Sequence, residues 1–364
     1  LMEKCFKQNP TERPTFSEIS EILRNDSSFI TESVNEEAYK NYIKYIDESL
    51  NFYDSSNKIV HLENFTKNYL RYMHQSSYEE NSIKFDPNLD LNKYKINEHY
   101  NYNLRYSFYF IEDETSALYS ARSFINDTNN FFKEDLINLC NEVKVISKLN
   151  HPAILKFIGY SSIDFKGRPK PFIVNEFTNC PLEFQIDSAR SKSNLDEWDD
   201  TKKLICIYGI AAAMEYLHAH NIIHRDLKPE NIHLDSNQFP KIGGFDISIK
   251  TDEIDQTTER TIKEKIKGTP AYLAPEIYSN HEYSEFSDVY SYSLIVYEII
   301  TNRRPYETYQ SAKEIEHFIV SENVRPTFEE TIPRSYRELI ERCWSSEAKS
   351  RPKFSEITRI LRTD

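Results

Sequence analysis

Glycine is almost missing from this chain: there are six in 364 residues, and the first is Gly159. A loop before that point that must bring bare backbone against a ligand therefore lacks the residue best suited to the task. Five cysteines (Cys5, Cys140, Cys180, Cys206, Cys343) are scattered without a C-x-x-C pair or clustered histidines. That argues against a disulfide framework or a zinc site and points to a reducing cytoplasm. Long apolar runs are absent too. Leu294–Val296 and Ile299–Ile300 are interrupted by Tyr297 and Glu298, far short of the 18 or so residues that cross a bilayer. No basic region with an apolar stretch behind it follows Leu1, so no signal peptide is expected. Basic excess is lacking as well: the formal charge of −13 argues against a nucleic-acid or anionic-membrane binder, which needs a positive face.

What is present has the balance of a soluble globular protein, 39% hydrophobic and 28% charged. One internal repeat stands out. Cys5–Leu23 aligns without gaps to Cys343–Leu361 and matches at nine of nineteen positions, both copies carrying Arg-Pro-x-Phe-Ser-Glu-Ile and then Ile-Leu. The chain is thus expected to start inside the tail of one domain (1–24) and to contain a second copy whole. Residues 25–93, acidic and rich in Asn and Ser, are expected to form a helical linker that docks on a neighbouring domain. Tyr39, Ile43, Ile46 and Leu50 fall at helical spacing, as do Leu62, Phe65 and Tyr69, before a turn at Asp86-Pro87-Asn88.

From Tyr94 the character changes. Tyr94–Phe124 is rich in aromatic and β-branched residues in short runs and predicts antiparallel strands. A helix is predicted over 131–149, with Leu136, Leu139, Val143, Ile146 and Leu149 on one face, and a strand over 171–177. Helices follow at 201–220, 288–301 and 335–343. The expected fold class is α+β: a small antiparallel sheet lobe followed by a larger helical lobe, at 94–361.

The strongest motif is His224-Arg225-Asp226-Leu227-Lys228-Pro229-Glu230-Asn231. With Gly268-Thr269-Pro270-Ala271-Tyr272-Leu273-Ala274-Pro275-Glu276, Asp288 and Arg351, it makes residues 94–361 resemble the eukaryotic protein kinases. Lys228 resembles the serine/threonine type, and the Cys343-Trp344 and Arg351-Pro352 tail the tyrosine-kinase-like branch. The resemblance implies a two-lobed kinase fold. In it Asp226 accepts the substrate hydroxyl proton, Lys228 steadies the transferring phosphate and Asn231 holds magnesium. Asp288 would brace the catalytic loop, and Glu276 with Arg351 would tie the activation segment to the helical lobe. The hinge, Asn175-Glu176-Phe177-Thr178, would contact adenine through backbone atoms of residues such as Glu176 and Thr178.

Several positions depart from that pattern. The stretch matching the glycine-rich phosphate loop, 99–110 (HYNYNLRYSFYF), has no glycine, and aromatic side chains could fill the space instead. The lysine that bridges phosphates and a helical glutamate falls on Arg122, with Glu142 as partner; arginine can still fork onto the carboxylate but places its charge differently. The magnesium-binding Asp-Phe-Gly falls on Gly244-Phe245-Asp246, so a hydrogen atom replaces the carboxylate. Phe245 would keep its stack with Ile146 and His224. Asp246 lies on the same face of an extended segment but about 6–7 Å further on, a shift that metal–oxygen bonds near 2 Å tolerate poorly. Ser120 and His233 sit where apolar residues usually sandwich adenine, and Cys180-Pro181 where a glycine commonly follows the hinge.

Two functions stay open on this reading. One is a pseudokinase, a scaffold or allosteric partner in signalling whose nearest partner is a preceding kinase-like domain tethered through 25–93. The other is an active serine/threonine kinase with atypical phosphate and metal contacts, using Asp226, Lys228, Asn231, Arg122 and Glu142, and Asp246 if it substitutes at the metal. ATP and magnesium are its cofactors if it is active, and none is required if it is not. In the active reading Thr257, Thr258 and Thr261, beside Lys263, Lys265 and Lys267, would be phosphorylated and paired to Arg225.

Overall fold

The computed structural model describes residues 30–53, 89–102, 106–125, 133–168, 170–191, 198–251, 262–263, 265–309, 311–329 and 331–362. The first repeat copy (5–23), the second predicted linker helix around Leu62–Tyr69, the turn at 86–88 and the three activation-segment threonines lie outside them. In chain order the elements are α1 (Glu36–Tyr53), β1 (Tyr94–Tyr102), β2 (Tyr106–Asp113), β3 (Leu118–Phe124), α2 (Lys133–Ile146), β4 (Phe157–Ser161) and β5 (Phe172–Glu176). After these come β6 (Cys180–Pro181), α3 (Leu182–Arg190), α4 (Asp200–Ala219), β7 (Ile232–Leu234), β8 (Pro240–Ile242) and β9 (Ile262–Lys263). The chain continues with α5 (Pro275–Asn280), β10 (Glu282–Tyr283), α6 (Glu285–Thr301), α7 (Ala312–Val320), α8 (Arg334–Cys343) and α9 (Phe354–Leu361).

They fall into two compact units. The sheet unit holds the described residues of 49–182 and 230–249. Its antiparallel five-stranded sheet has the order β1-β2-β3-β5-β4. The period of two along each strand sorts its residues onto two faces. Phe124 of β3 and Ile173 of β5 turn to α2, packing with Leu139, Val143 and Tyr160. Ala121, Phe172 and Val174 turn the other way, onto Leu91 and Ile111. Arg122 and Ser120 share the parity of Phe124, which aims both at the α2 side. The β2–β3 turn is made without glycine: the Asp113 carboxylate accepts from the N–H of Thr115 (2.8 Å) and of Ala117 (3.0 Å), and Ser116 takes the left-handed φ of 66°. The Thr115 hydroxyl bond to this carboxylate, helped by Tyr119 and the two N–H groups, lowers its pKa to about 2. β6, β7 and β8 form a second, three-stranded sheet.

The helical unit holds the described residues of 30–48, of 183–229 and from 250 onward. α4 is apolar nearly all round, with residues such as Leu204, Ile207, Tyr208, Ile210 and Met214 fully enclosed, as a helix surrounded by others must be. Asp199 caps its start through the N–H of Lys202. α6, entered by a Ser284–Ser287 capping box, packs on α4 and α8, and α9 lies along α4. α1, from the stretch expected to be a linker, closes this unit's lower face. Tyr39, Tyr42 and Ile46 are buried there. The Tyr39 hydroxyl donates to the Leu361 carbonyl (2.8 Å), the Asn35 N–H donates to Thr201 Oγ1 (2.6 Å), and Asp47 pairs with Arg362. Tyr39 also meets the Tyr208 ring edge-on at 5.9 Å.

Candidate active site

In the helical unit the loop 224–229 is held from below by one buried carboxylate. Asp288, at the start of α6, accepts the N–H of His224 and of Arg225 (each 2.9 Å) and faces His218 Nε2 at 2.9 Å. Arg225 adopts the left-handed φ of 72°, and its guanidinium lies 4.2 Å from the centroid of Tyr283. Asp226 and Lys228 are brought together by a residue the sequence reading did not single out. Thr269 Oγ1 donates to Asp226 Oδ1 (2.8 Å) and accepts from Lys228 Nζ (2.6 Å), while Lys228 Nζ stands 3.1 Å from Asp226 Oδ2. Its position beside Gly268, within the Gly268–Glu276 motif, was the signal that could have found it. Gly268 has φ +106°, and an added Cβ would come within 2.8 Å of the Arg225 carbonyl. Only glycine delivers Thr269 to that spot. Arg351 forks onto Glu276, with both bonds at 2.7 Å, a bidentate pair that anchors the segment after Thr269.

In the sheet unit a cleft is lined by Ser120, Arg122, Glu142, Thr178, His233 and Gly244, among others. Arg122 is ion-paired with Glu142 of α2, and its guanidinium lies 4.7 Å from the centroid of Tyr106. Burial pulls the Arg122 pKa down, but the charges of Glu142, Tyr106 and Asp246 outweigh it and raise it above the usual value. Burial lifts the Glu142 carboxyl above the usual carboxylate range against the pull of Arg122, and Asp246 adds to the rise. The charge of Asp246 is thus felt at the Arg122–Glu142 pair. His233 is driven down to about 4, first by burial and then by Arg122, and is neutral near pH 7. Ile146 and Phe245 also line this cleft.

At the place of the expected metal carboxylate, Gly244 has φ +75°, and a Cβ there would lie 2.4 Å from Asn231 Cγ, 2.6 Å from its Nδ2 and 2.7 Å from its Oδ1. Atoms do not approach that closely, so the Asn231 amide occupies the space a side chain at 244 would need. Of the hinge residues, Glu176 Oε1 accepts the Lys156 N–H (2.8 Å) and Oε2 lies 3.4 Å from Lys241 Nζ. The Thr178 N–H donates to Ser120 Oγ (3.1 Å).

Residues 126–361 match the family model for protein tyrosine and serine/threonine kinases, and the chain belongs to the protein kinase family. Similar proteins include the dual specificity protein kinases shkB (31% identical over 65% of this chain and 35% of that protein) and shkD (33% over 61% and 28%) of Dictyostelium discoideum. Another is the serine/threonine-protein kinase STY46 of Arabidopsis thaliana (30% over 60% and 36%). These likenesses are consistent with the tyrosine-kinase-like type. The chain spans about a third of the length of these curated relatives. No helix among the described residues is long and apolar enough to cross a membrane.

Proposed function

We propose that this domain is a pseudokinase: a kinase-fold module in cytoplasmic signalling that works as scaffold or allosteric partner, with ATP-dependent phosphoryl transfer weak or lost. The observation that carries this reading is the Asn231 amide lying where a Cβ of residue 244 would have to be. In the kinase family the asparagine and the aspartate of these two positions hold magnesium together. Here one is gone and the other fills its place, so the residues present do not fit a magnesium ion bridging phosphates. Asp246 would have to serve instead, from a position about 6–7 Å further along the segment, a shift that metal–oxygen bonds near 2 Å tolerate poorly. Arg122 keeps the pair with Glu142 and lies near Tyr106, but its longer, planar guanidinium does not place a point charge where the family's lysine would meet a phosphate. Phosphoryl transfer rests almost wholly on positioning and charge neutralisation, so a general base alone does not sustain it. The first partner on this reading is a preceding kinase-like domain, tethered at high effective concentration through 25–93.

A second reading, an active serine/threonine kinase with atypical metal contacts, is favoured by one observation. Asp226, Lys228 and Thr269 form a closed hydrogen-bonded triangle, a geometry suited to receiving a substrate hydroxyl. A magnesium-ATP thermal-shift titration, run beside a kinase assay with Asp226→Asn as control, separates the two. The expected result is no metal-dependent shift and no transfer that Asp226→Asn abolishes. Nucleotide-stabilised melting with Asp226-dependent transfer would establish the enzyme instead.

A further inference from the structure

The cleft of the sheet unit is altered at the end away from Gly244 as well. β3 and β5 pair with Ser120 opposite Asn175, which sets the Ser120 side chain beside the chain leaving β5. There its Oγ accepts the backbone N–H of Thr178 at 3.1 Å and lies 3.3 Å from Thr178 Oγ1. Both residues are buried, 8% and 4% exposed. A buried backbone N–H must find an acceptor. In a hinge that reads a nucleobase through its backbone, that acceptor is supplied by the ligand. Here it is supplied by the protein.

We infer that Ser120 acts as an internal stand-in for the nucleobase, occupying the Thr178 donor and so disfavouring purines in the cleft. An N–H donates well along one direction, to an acceptor near 2.9–3.0 Å. Ser120 Oγ sits within a few tenths of an ångström of that distance, so a purine nitrogen seated on the same N–H would overlap it. A purine enters only if the serine rotates away and the Ser120–Thr178 contacts break. The inference rests on the pseudokinase reading, and it adds a base-end block to the metal-end one. It also makes a hydroxyl, rather than bulk, the specificity-determining group.

The test is binding of adenosine and of ATP, without metal, to wild type, Ser120→Ala and Ser120→Gly, with melting curves to establish that each is folded. Removing the hydroxyl leaves the Thr178 N–H without its acceptor and rewards a ligand that brings one. Binding should tighten about tenfold, equivalent to about 1.4 kcal/mol, and by the same factor for both ligands because the hydroxyl acts at the base end. Unchanged affinity in both variants, or a gain for ATP alone, overturns the inference. A measurement on the unmodified protein guards against misfolded variants: with threonine amides labelled for NMR, the Thr178 signal should stay put on adding millimolar adenosine, and a saturable shift overturns the inference. Failure here is distinct from failure of the underlying reading. Asp226-dependent transfer by wild type sinks the pseudokinase, whereas a Thr178 shift without transfer sinks only the role given to Ser120.

Discussion

Putting a side chain back at position 244 is the most informative perturbation. Gly244→Asp restores the missing carboxylate on paper, yet the surroundings resist even the Cβ that Gly244→Ala would add. The backbone there has φ +75°, and holding an L residue in that region costs roughly 1–2 kcal/mol. The Cβ would also stand 2.4 Å from Asn231 Cγ, so the amide must move, at the cost of about one hydrogen bond, roughly 0.5–1.5 kcal/mol. Together Gly244→Ala should destabilise by about 2–3 kcal/mol. For a domain of this size that is a fall of about 5–10 °C in Tm, at some 2–4 °C per kcal/mol. Denaturant melts on Gly244→Ala, Asn231→Ala and the double variant isolate the crowding. Clearing the amide should remove roughly 1 kcal/mol of the Gly244→Ala penalty, the coupling expected of residues in contact. Gly244→Asp alone should melt low and gain no phosphoryl transfer. Additive effects in the cycle, or a Gly244→Asp protein that melts like wild type and transfers phosphate in an Asp226-dependent way, would refute the reasoning.

The α1 strap and the cleft histidine give two further tests. Tyr39→Phe removes only the hydroxyl bonded to Leu361 and should cost about 1 kcal/mol in chemical denaturation. Tyr39→Ala also empties a fully buried ring site and should cost about 3–5 kcal/mol; near-wild-type stability for the alanine variant would mean that α1 is not docked in solution. The His233 pKa is lowered from 6.5 to about 4, so between those values the unfolded chain binds a proton that the folded protein refuses. His233 should therefore erode stability progressively as pH falls from about 6.5 towards 4, and have no effect near pH 8. A His233→Leu variant should show a flatter stability–pH curve across that window, and an equal slope in both proteins would count against the neutral imidazole in the cleft.

Much of this architecture was legible in one dimension. The short runs of aromatic and β-branched residues from Tyr94 to Phe124 became β1–β3, and the helix predicted over 131–149 appears as Lys133–Ile146 with Leu139 and Val143 in the sheet's core. Those signals are local: strand and helix periods follow from backbone geometry and need no knowledge of neighbours. The His224–Asn231 string and the absence of early glycine were equally plain, and together they posed the question of a kinase fold with altered phosphate handling. Three things were not legible. Thr269 looked like one more residue of a motif, because its bonds to Asp226 and Lys228 span more than forty positions. Ser120 was visible only as a less greasy cleft wall, since its bond to Thr178 depends on the register of β3 against β5. The helical spacing of Tyr39, Ile43 and Ile46 announced a buried face without saying what would cover it.

By itself the amino-acid sequence determined the family, the order of sheet and helices, and the chemical identity of each residue at the cleft, including the hydrogen atom at 244. Those follow from composition, period and motif, which are properties of neighbours along the chain. Tertiary structure alone decided which groups are already spoken for. Asn231 fills the room at Gly244, Ser120 takes the Thr178 donor, Glu142 holds Arg122, and α9 receives α1. Steric exclusion and hydrogen-bond satisfaction act between atoms in space, and residues far apart in the chain compete for the same volume and the same donor only once folding has brought them together.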